Sequence, residues 1–242
     1  VRQRFPWDEI EPEPQAYRWE KWDRLVEWAR QHDLSMIAVL DGSPLWARRD
    51  TDSENPLAPP DNGNVYAGWV ATFASRYREK IRAYQIWDEP NIWPHWGDRP
   101  ADPAGYVHLL SAGYKAIKSV DSAAWVISAG LAPTTEDSKQ NMSEVLYLRG
   151  MYEAGAAPYF DILGAKPYGF WSGPEDRRVS ERVLNYSRLI LLREEMVRRG
   201  DGRKPIWAVE LGWNALPPDW GGRPAPWGTD AEAKQADRTL RA

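Results

Sequence analysis

The sequence predicts an α/β fold in which a parallel sheet is covered by helices. Three observations carry that expectation. Short apolar runs alternate with longer amphipathic segments. The alternation holds through six strand-helix units, as parallel strands joined by crossover helices require. The strand-like runs are apolar on consecutive residues, the mark of strands buried on both faces. This pattern fits either a β/α barrel or an open doubly wound sheet.

The elements follow in chain order. Residues 1–5 read as a strand, and Trp19, Trp22, Val26 and Ala29 as one face of a helix. Residues 35–40 are apolar and too short for a typical helix, which makes them the second strand. Beyond a Pro-rich loop, Tyr66, Trp69, Val70, Phe73 and Tyr77 recur at helical spacing, and residues 81–87 form the third strand. Asp102-Pro103 supplies a cap and a first-turn proline for a helix carrying Tyr106, Leu109, Leu110, Gly113, Tyr114 and Ile117. Residues 125–129 are the fourth strand, followed by a helix over 143–154. Residues 160–165 are the fifth. Val183, Tyr186, Leu189, Ile190 and Val197 predict a long helix over 175–199. Residues 205–209 are the sixth strand, and the polar stretch from Thr229 onward reads as helical.

Composition excludes several partners and chemistries. The chain has 242 residues, 43% of them hydrophobic, enough for one large domain or two small ones. Its 31 Lys+Arg against 35 Asp+Glu leave no basic footprint for nucleic acid. It has no apolar run of about 18 residues for a membrane span. The absence of Cys removes disulfides and thiolate zinc sites without fixing a compartment. The first residues lack the apolar core of a signal peptide. The chain begins at Val, so either a leader has been removed or the sequence is cut from a longer one, and localisation stays open. No strand is followed by a Gly-x-Gly-x-x-Gly turn or a Gly-x4-Gly-Lys loop, which argues against dinucleotide and P-loop binding. His95 and His108 lack metal spacing and no His-Glu-x-x-His occurs, so the reading includes neither metal nor cofactor. Nothing specifies an oligomeric state.

The functional signal lies in the segments after strands: 41–64, 88–101, 166–175 and 211–228. They are long and rich in Trp, Pro, acids and Asn. In a β/α barrel these are the loops that build the active face. Glu89 follows the run Tyr84-Gln85-Ile86-Trp87, and Glu210 follows Ile206-Trp207-Ala208-Val209. A carboxylate embedded in apolar sequence is costly unless paired or functional. One such residue is as readily half of a buried ion pair. Two of them, each at a strand end with Trp close by, point to glycoside hydrolysis by paired carboxylates, one nucleophile and one general acid/base.

At these residues the sequence resembles the clan A glycoside hydrolases, particularly the family 39-like branch. Asp88-Glu89-Pro90-Asn91 stands where that family has an Asn-Glu-Pro motif after its fourth strand. Val209-Glu210-Leu211-Gly212-Trp213 stands where the seventh ends in a segment like Thr-Glu-Phe-Gly-Trp. Residues 2–12 look like the second strand and its loop, and residues 163–168 like the sixth. The resemblance implies a (β/α)8 TIM barrel represented by strands 2 to 7, with strands 1 and 8 missing, so that residues 1–242 form a single incomplete catalytic domain with exposed sheet edges. It implies a carbohydrate substrate and a retaining mechanism, with Glu210 as nucleophile and Glu89 as acid/base. Arg2 and Arg4 share one strand face by the period of two, so at least one is expected to hold Glu210 ionised. Arg2 is the better match to the family's strand-two Arg, and Tyr168 is the phenol expected to donate to the nucleophile.

Two departures qualify the resemblance. Asp88 replaces the Asn that contacts the sugar 2-hydroxyl, and an acceptor-only carboxylate cannot donate as an amide does. Lys166 replaces a His before Pro-Tyr; it is a candidate substrate contact, against which stands the plainer expectation of a solvated lysine. The candidate substrate contacts are Asp88, Asn91, Trp46, Trp93, Lys166, Tyr168 and Trp213. Of the 15 Trp, those at 19, 22, 28 and 69 read as packing residues, whereas Trp46, Trp93, Trp96, Trp171, Trp213, Trp220 and Trp227 fall in the active-face loops, where two or three are expected to stack on sugar. The alternative is a carbohydrate-binding pseudoenzyme on the same barrel.

Overall fold

Six short stretches, apolar except for the first, form parallel strands in the computed structural model, which describes residues 1–52 and 54–242. In chain order the elements are β1 (Arg2–Pro6), α1 (Trp7–Ile10), α2 (Glu20–Gln31), β2 (Ile37–Asp41), α3 (Gly63–Arg76), β3 (Ala83–Ile86), β4 (His95–Asp98), α4 (Pro103–Val120), β5 (Trp125–Ile127), α5 (Glu144–Glu153), β6 (Leu163–Ala165), α6 (Leu189–Arg198), β7 (Ile206–Ala208) and α7 (Glu232–Arg241). Strands β1, β2, β3 and β5 form one parallel sheet in that order, and β6 and β7 form a second. Single parallel bridges, Ile127 to Ile162 and Leu131 to Ala165, connect the two sheets. This alternating arrangement is that of a partial (β/α) barrel; among the described residues no ladder joins β1 to β7 and no ring of eight strands closes.

The period of two within the strands divides the interior. Ala38, Leu40, Tyr84, Ile86, Val126 and Leu163 point to the helix side and join the main core. Ile37, Ala83, Ile127, Ile162, Trp207 and Val209 form a smaller cluster on the other face. The helices meet the main core with Trp22 and Val26 of α2, Tyr66, Trp69 and Phe73 of α3, Tyr106 and Leu110 of α4, and Leu148 and Met151 of α5. Trp7 stacks on Trp69 with centroids 5.2 Å apart. Rings of this size remove roughly 150–250 Å² each from water, so the aromatic layer supplies a large share of the hydrophobic stabilisation. Asp102 caps α4 as its position before Pro103 predicts, accepting the Gly105 N–H at 2.9 Å.

Three expectations are corrected. The helix predicted over 175–199 is confined to α6, preceded by a single 3-10 turn at Tyr186–Arg188. The reason is local competition for backbone carbonyls: the buried Arg188 guanidinium takes those of Ser180, Glu181 and Val183 at 3.2, 2.9 and 2.9 Å, and Asn185 donates to the Arg178 carbonyl. Strand β4 was not expected, and it stands outside both parallel sheets. Trp28 is not a packing residue. It is 55% exposed and stacks on His32 one turn along α2. No helix is long and apolar enough to cross a membrane among the described residues.

Candidate active site

Parallel strands place all their C-terminal ends on one face, so residues just beyond β3, β6 and β7 converge there. Asp88 and Glu89 follow β3, Lys166 directly follows β6, and Glu210 lies two residues past β7. Arg2 opens β1 and reaches into the same cluster. Its Nη1 contacts Glu210, its Nη2 lies 2.7 Å from Asp88 Oδ1 as an ion pair rather than an aligned hydrogen bond, and its Nε donates to Gln85 at 3.0 Å. Arg4 does not join Glu210. It pairs with Asp41 at 2.8 Å, so of the two only Arg2 reaches Glu210.

Lys166 overturns the expectation of a solvated side chain. Its side chain is 2% exposed, and its Nζ lies 2.9 Å from Asp88 Oδ2, 2.8 Å from Glu89 Oε1 and 3.3 Å from Glu210 Oε1. Burial works against the ammonium, but the three carboxylates outweigh it and hold its pKa above the usual lysine value. Tyr168 donates its O–H to Glu210. Burial first, and then that hydrogen bond, push the phenol well above its ordinary range, so it stays a donor. Asp41 is almost wholly enclosed, and burial, opposed by Arg4, raises its carboxyl to about 6.

Glu89 has a neighbour that the sequence reading did not select. His95 Nε2 lies 3.3 Å from Glu89 Oε2. Burial lowers the imidazole pKa, against the attraction of Glu89 and Asp88, and keeps the ring neutral near pH 7. The only signal for His95 was its place in the same strand-end loop, six residues beyond Glu89. Gln85 and Gly130 were missed as well. Gln85 is fully buried and donates to Asp88 at 3.0 Å. A Cβ on Gly130 would stand 2.7 Å from a Val209 methyl and 3.0 Å from Lys166 Cε, so glycine leaves the space that Lys166 crosses. Trp87 and Glu89 both have positive φ, 65° and 49°. Side-chain-bearing residues in that region are strained and concentrate at functional sites.

A cavity of about 780 Å³ adjoins this cluster and is lined by Glu89, Trp93, Tyr168, Phe170, Trp213 and Trp227, among others. Trp93 and Trp227 are 53% and 62% exposed and offer free indole faces. Trp213 is mostly covered, with its ring stacked on Tyr186 and its N–H donated to Ser172. The other indoles predicted for this face do not line the cavity. Trp46 packs edge-on against Trp7 and donates to the Glu11 carbonyl, and Trp96 is buried between Trp87 and Tyr106. Trp171 and Trp220 are exposed elsewhere. Asn91 is also corrected as a substrate contact. It is 0% exposed, and its amide is spent on the backbone of Ala132 and Met142, tying the loop after β3 to the loop before α5. Among the described residues no group of three or more His, Asp or Glu side chains is arranged to hold a metal.

No family model matches the chain, and no curated protein matches it by sequence. Solved structures do match. The chain superposes on a family 39 glycoside hydrolase from the gut symbiont Bacteroides cellulosilyticus WH2 with a TM-score of 0.67 and 19% identity, over 99% of this chain and 46% of that one. A glucosidase from Croceicoccus marinus gives 0.62 and 16%, over 85% and 44%. A family 39 β-xylosidase from Caulobacter crescentus gives 0.62 and 17%, over 87% and 46%. The chain spans less than half the length of each of these three proteins. At such identities the likeness establishes architecture: the chain has the β/α-barrel type of fold found in these glycoside hydrolases.

Proposed function

We propose that residues 1–242 form one barrel domain of a retaining O-glycoside hydrolase related to the family 39 branch of clan A, its six parallel strands corresponding to the second to seventh of that barrel. The substrate is a carbohydrate, and the chemistry uses neither metal nor cofactor. Glu210 attacks the anomeric carbon while Glu89 protonates the departing oxygen. Glu89, then a base, activates the water that releases the glycosyl-enzyme. Arg2 and the Tyr168 hydroxyl contact Glu210 and aim it. Trp93 and Trp227 offer the stacking faces, with Asp88, Lys166 and Trp213 supporting the site from beneath or from its wall.

The observation that carries this reading is the shared ammonium. Glu89 and Glu210 come from different strand ends, yet an oxygen of each lies within 2.8 and 3.3 Å of Lys166 Nζ. Those two oxygens are therefore no farther apart than the two distances laid end to end. That bound brings both carboxyl groups to one small site, as glycoside hydrolysis by a carboxylate pair requires, and the retaining assignment follows the family 39-like motifs around Glu89 and Glu210. Hydrolysis of a panel of aryl glycosides and polysaccharides, followed by proton NMR of the first-formed sugar, tests it. Retained anomeric configuration is expected, and an inverted first product would reject the mechanism.

A second reading, carbohydrate binding without turnover, is favoured by one observation: Lys166 already occupies acceptor positions on both Asp88 and Glu89. Glycan binding that persists in Glu210→Gln, with no hydrolysis by the parent on the same panel, would select it.

A further inference from the structure

We propose that Lys166 is the positioning residue of this site, a buried ammonium that holds Glu89 and Glu210 in register and is the cation on which the charge of Glu89 depends. The inference rests on the glycosidase reading for its catalytic meaning, but its physical content concerns only the charge of Glu89.

The surroundings of the three carboxylates differ in the number of cations each meets. Asp88 and Glu210 each meet two cations, Arg2 and Lys166. Glu89 meets one, Lys166 at 2.8 Å, and its other oxygen faces His95 at 3.3 Å. Burial lowers that imidazole's pKa below its ordinary value, so near pH 7 it adds no charge. The remaining polar groups around the cluster are the Tyr168 hydroxyl, which is engaged with Glu210, and the Gln85 amide, which is engaged with Asp88. Arg4 is occupied by Asp41. The inner cluster therefore sets two cations, Arg2 and Lys166, against three carboxylates, and among the described residues Lys166 is the one cation beside Glu89 near pH 7.

An ammonium has three N–H donors and no acceptor. Here two make hydrogen bonds to Asp88 and Glu89, and the third direction meets Glu210. With 2% of the side chain exposed, water does not screen these contacts. Replacing Lys166 by Met keeps the bulk and removes the charge, leaving Glu89 beside two carboxylates with no cation of its own. Glu89 then retains its proton to higher pH. A general acid must carry its proton when the glycosidic oxygen departs. The parent site is thus set for a more acidic working range than its Lys166→Met variant.

The test is carbon-13 NMR of protein labelled at the glutamate carboxyl carbons, with the Glu89 signal assigned by its disappearance in Glu89→Gln. In Lys166→Met the Glu89 titration is expected to move up by about 1 to 3 pH units, the usual effect of an adjacent opposite charge. In Lys166→Arg, which keeps a cation, it is expected to stay near the parent. A Glu89 titration unchanged in Lys166→Met, or moved as far by Arg as by Met, would overturn the proposal. Should Lys166→Met fail to fold, the parent alone is informative. Its Lys166 ammonium is expected to give a slowly exchanging nitrogen-15 signal that shifts in Glu89→Gln, and an ammonium indifferent to that substitution would refute the contact. These readouts follow ionisation, not turnover. Failure of the glycosidase reading would instead show as an inactive parent whose Glu89 still titrates as described.

Discussion

Glu89 and Glu210 share Lys166 but differ in every other neighbour, and that difference separates their proposed tasks. Glu210 is met by Arg2 and by the Tyr168 hydroxyl, a cation and a hydrogen-bond donor that suit its proposed role as nucleophile. Glu89 faces a neutral imidazole and the open cavity. Replacing Tyr168 by Phe removes one hydrogen bond to a charged group, an effect of about 1.5–3 kcal/mol. It is therefore expected to lower kcat/KM roughly ten- to a hundredfold, as steady-state kinetics on any substrate found in the panel will show. Asp41 gives a prediction of stability. Its folded carboxyl titrates at about 6 against an ordinary 3.8, so between those values the folded state holds a proton that the unfolded chain has lost. Its contribution to stability therefore falls as pH rises through that window and stays low above it. Urea denaturation at a series of pH values is expected to show this fall in the parent and a flatter profile in Asp41→Asn; parallel profiles would refute the assignment.

At the scale of the elements, the loop between β6 and α6 is held by one buried ion pair. Arg188 meets Glu144 at 2.5 and 3.1 Å, both side chains are 3% exposed, and the same guanidinium collects the carbonyls of the loop. Removing one partner strands a buried charge, so Arg188→Met is expected to cost about 3–5 kcal/mol by chemical denaturation. A loss near zero would show that the loop is held by other contacts. This loop also marks what the sequence could not convey. The strands were legible because an apolar run too short for a helix has few alternatives. The apparent helix over 175–199 had apolar residues at plausible spacing, and nothing local shows that Arg188 will claim the carbonyls on which that helix depends. That Glu89 and Glu210 would lie on one face was legible because strand-end position is written in the chain, while Arg2 and Tyr168 were singled out by the family resemblance, and the structure brings all four together. The burial of Lys166 was not legible, because it arises only when the ends of β3, β6 and β7 meet. Trp46, Trp96 and Asn91 lie in the expected loops, but the contacts that engage Trp46 and the burial of Trp96 and Asn91 are properties of packing, which loop membership does not reveal.

Across the whole molecule, the main core runs without a break from Phe5 in β1 to Met196 in α6, and the aromatic residues of α3 and α4 lie at its centre. A core of that continuity predicts one cooperative unit. Thermal unfolding followed by far-ultraviolet circular dichroism and by tryptophan fluorescence is expected to give coincident transitions, and two separated transitions would divide the chain into domains. The fold also brings Arg2, near one end of the given sequence, against Glu210, near the other, so the proposed site is assembled from residues far apart in the chain. The most direct test of that assembly is to incubate the protein with a panel of activated 2-deoxy-2-fluoro glycosides and locate any covalent adduct by peptide mass spectrometry. A glycosyl ester on Glu210, absent from Glu210→Gln, is the predicted result; an adduct on another residue, or hydrolysis of the matching glycoside undiminished in Glu210→Gln, would contradict it.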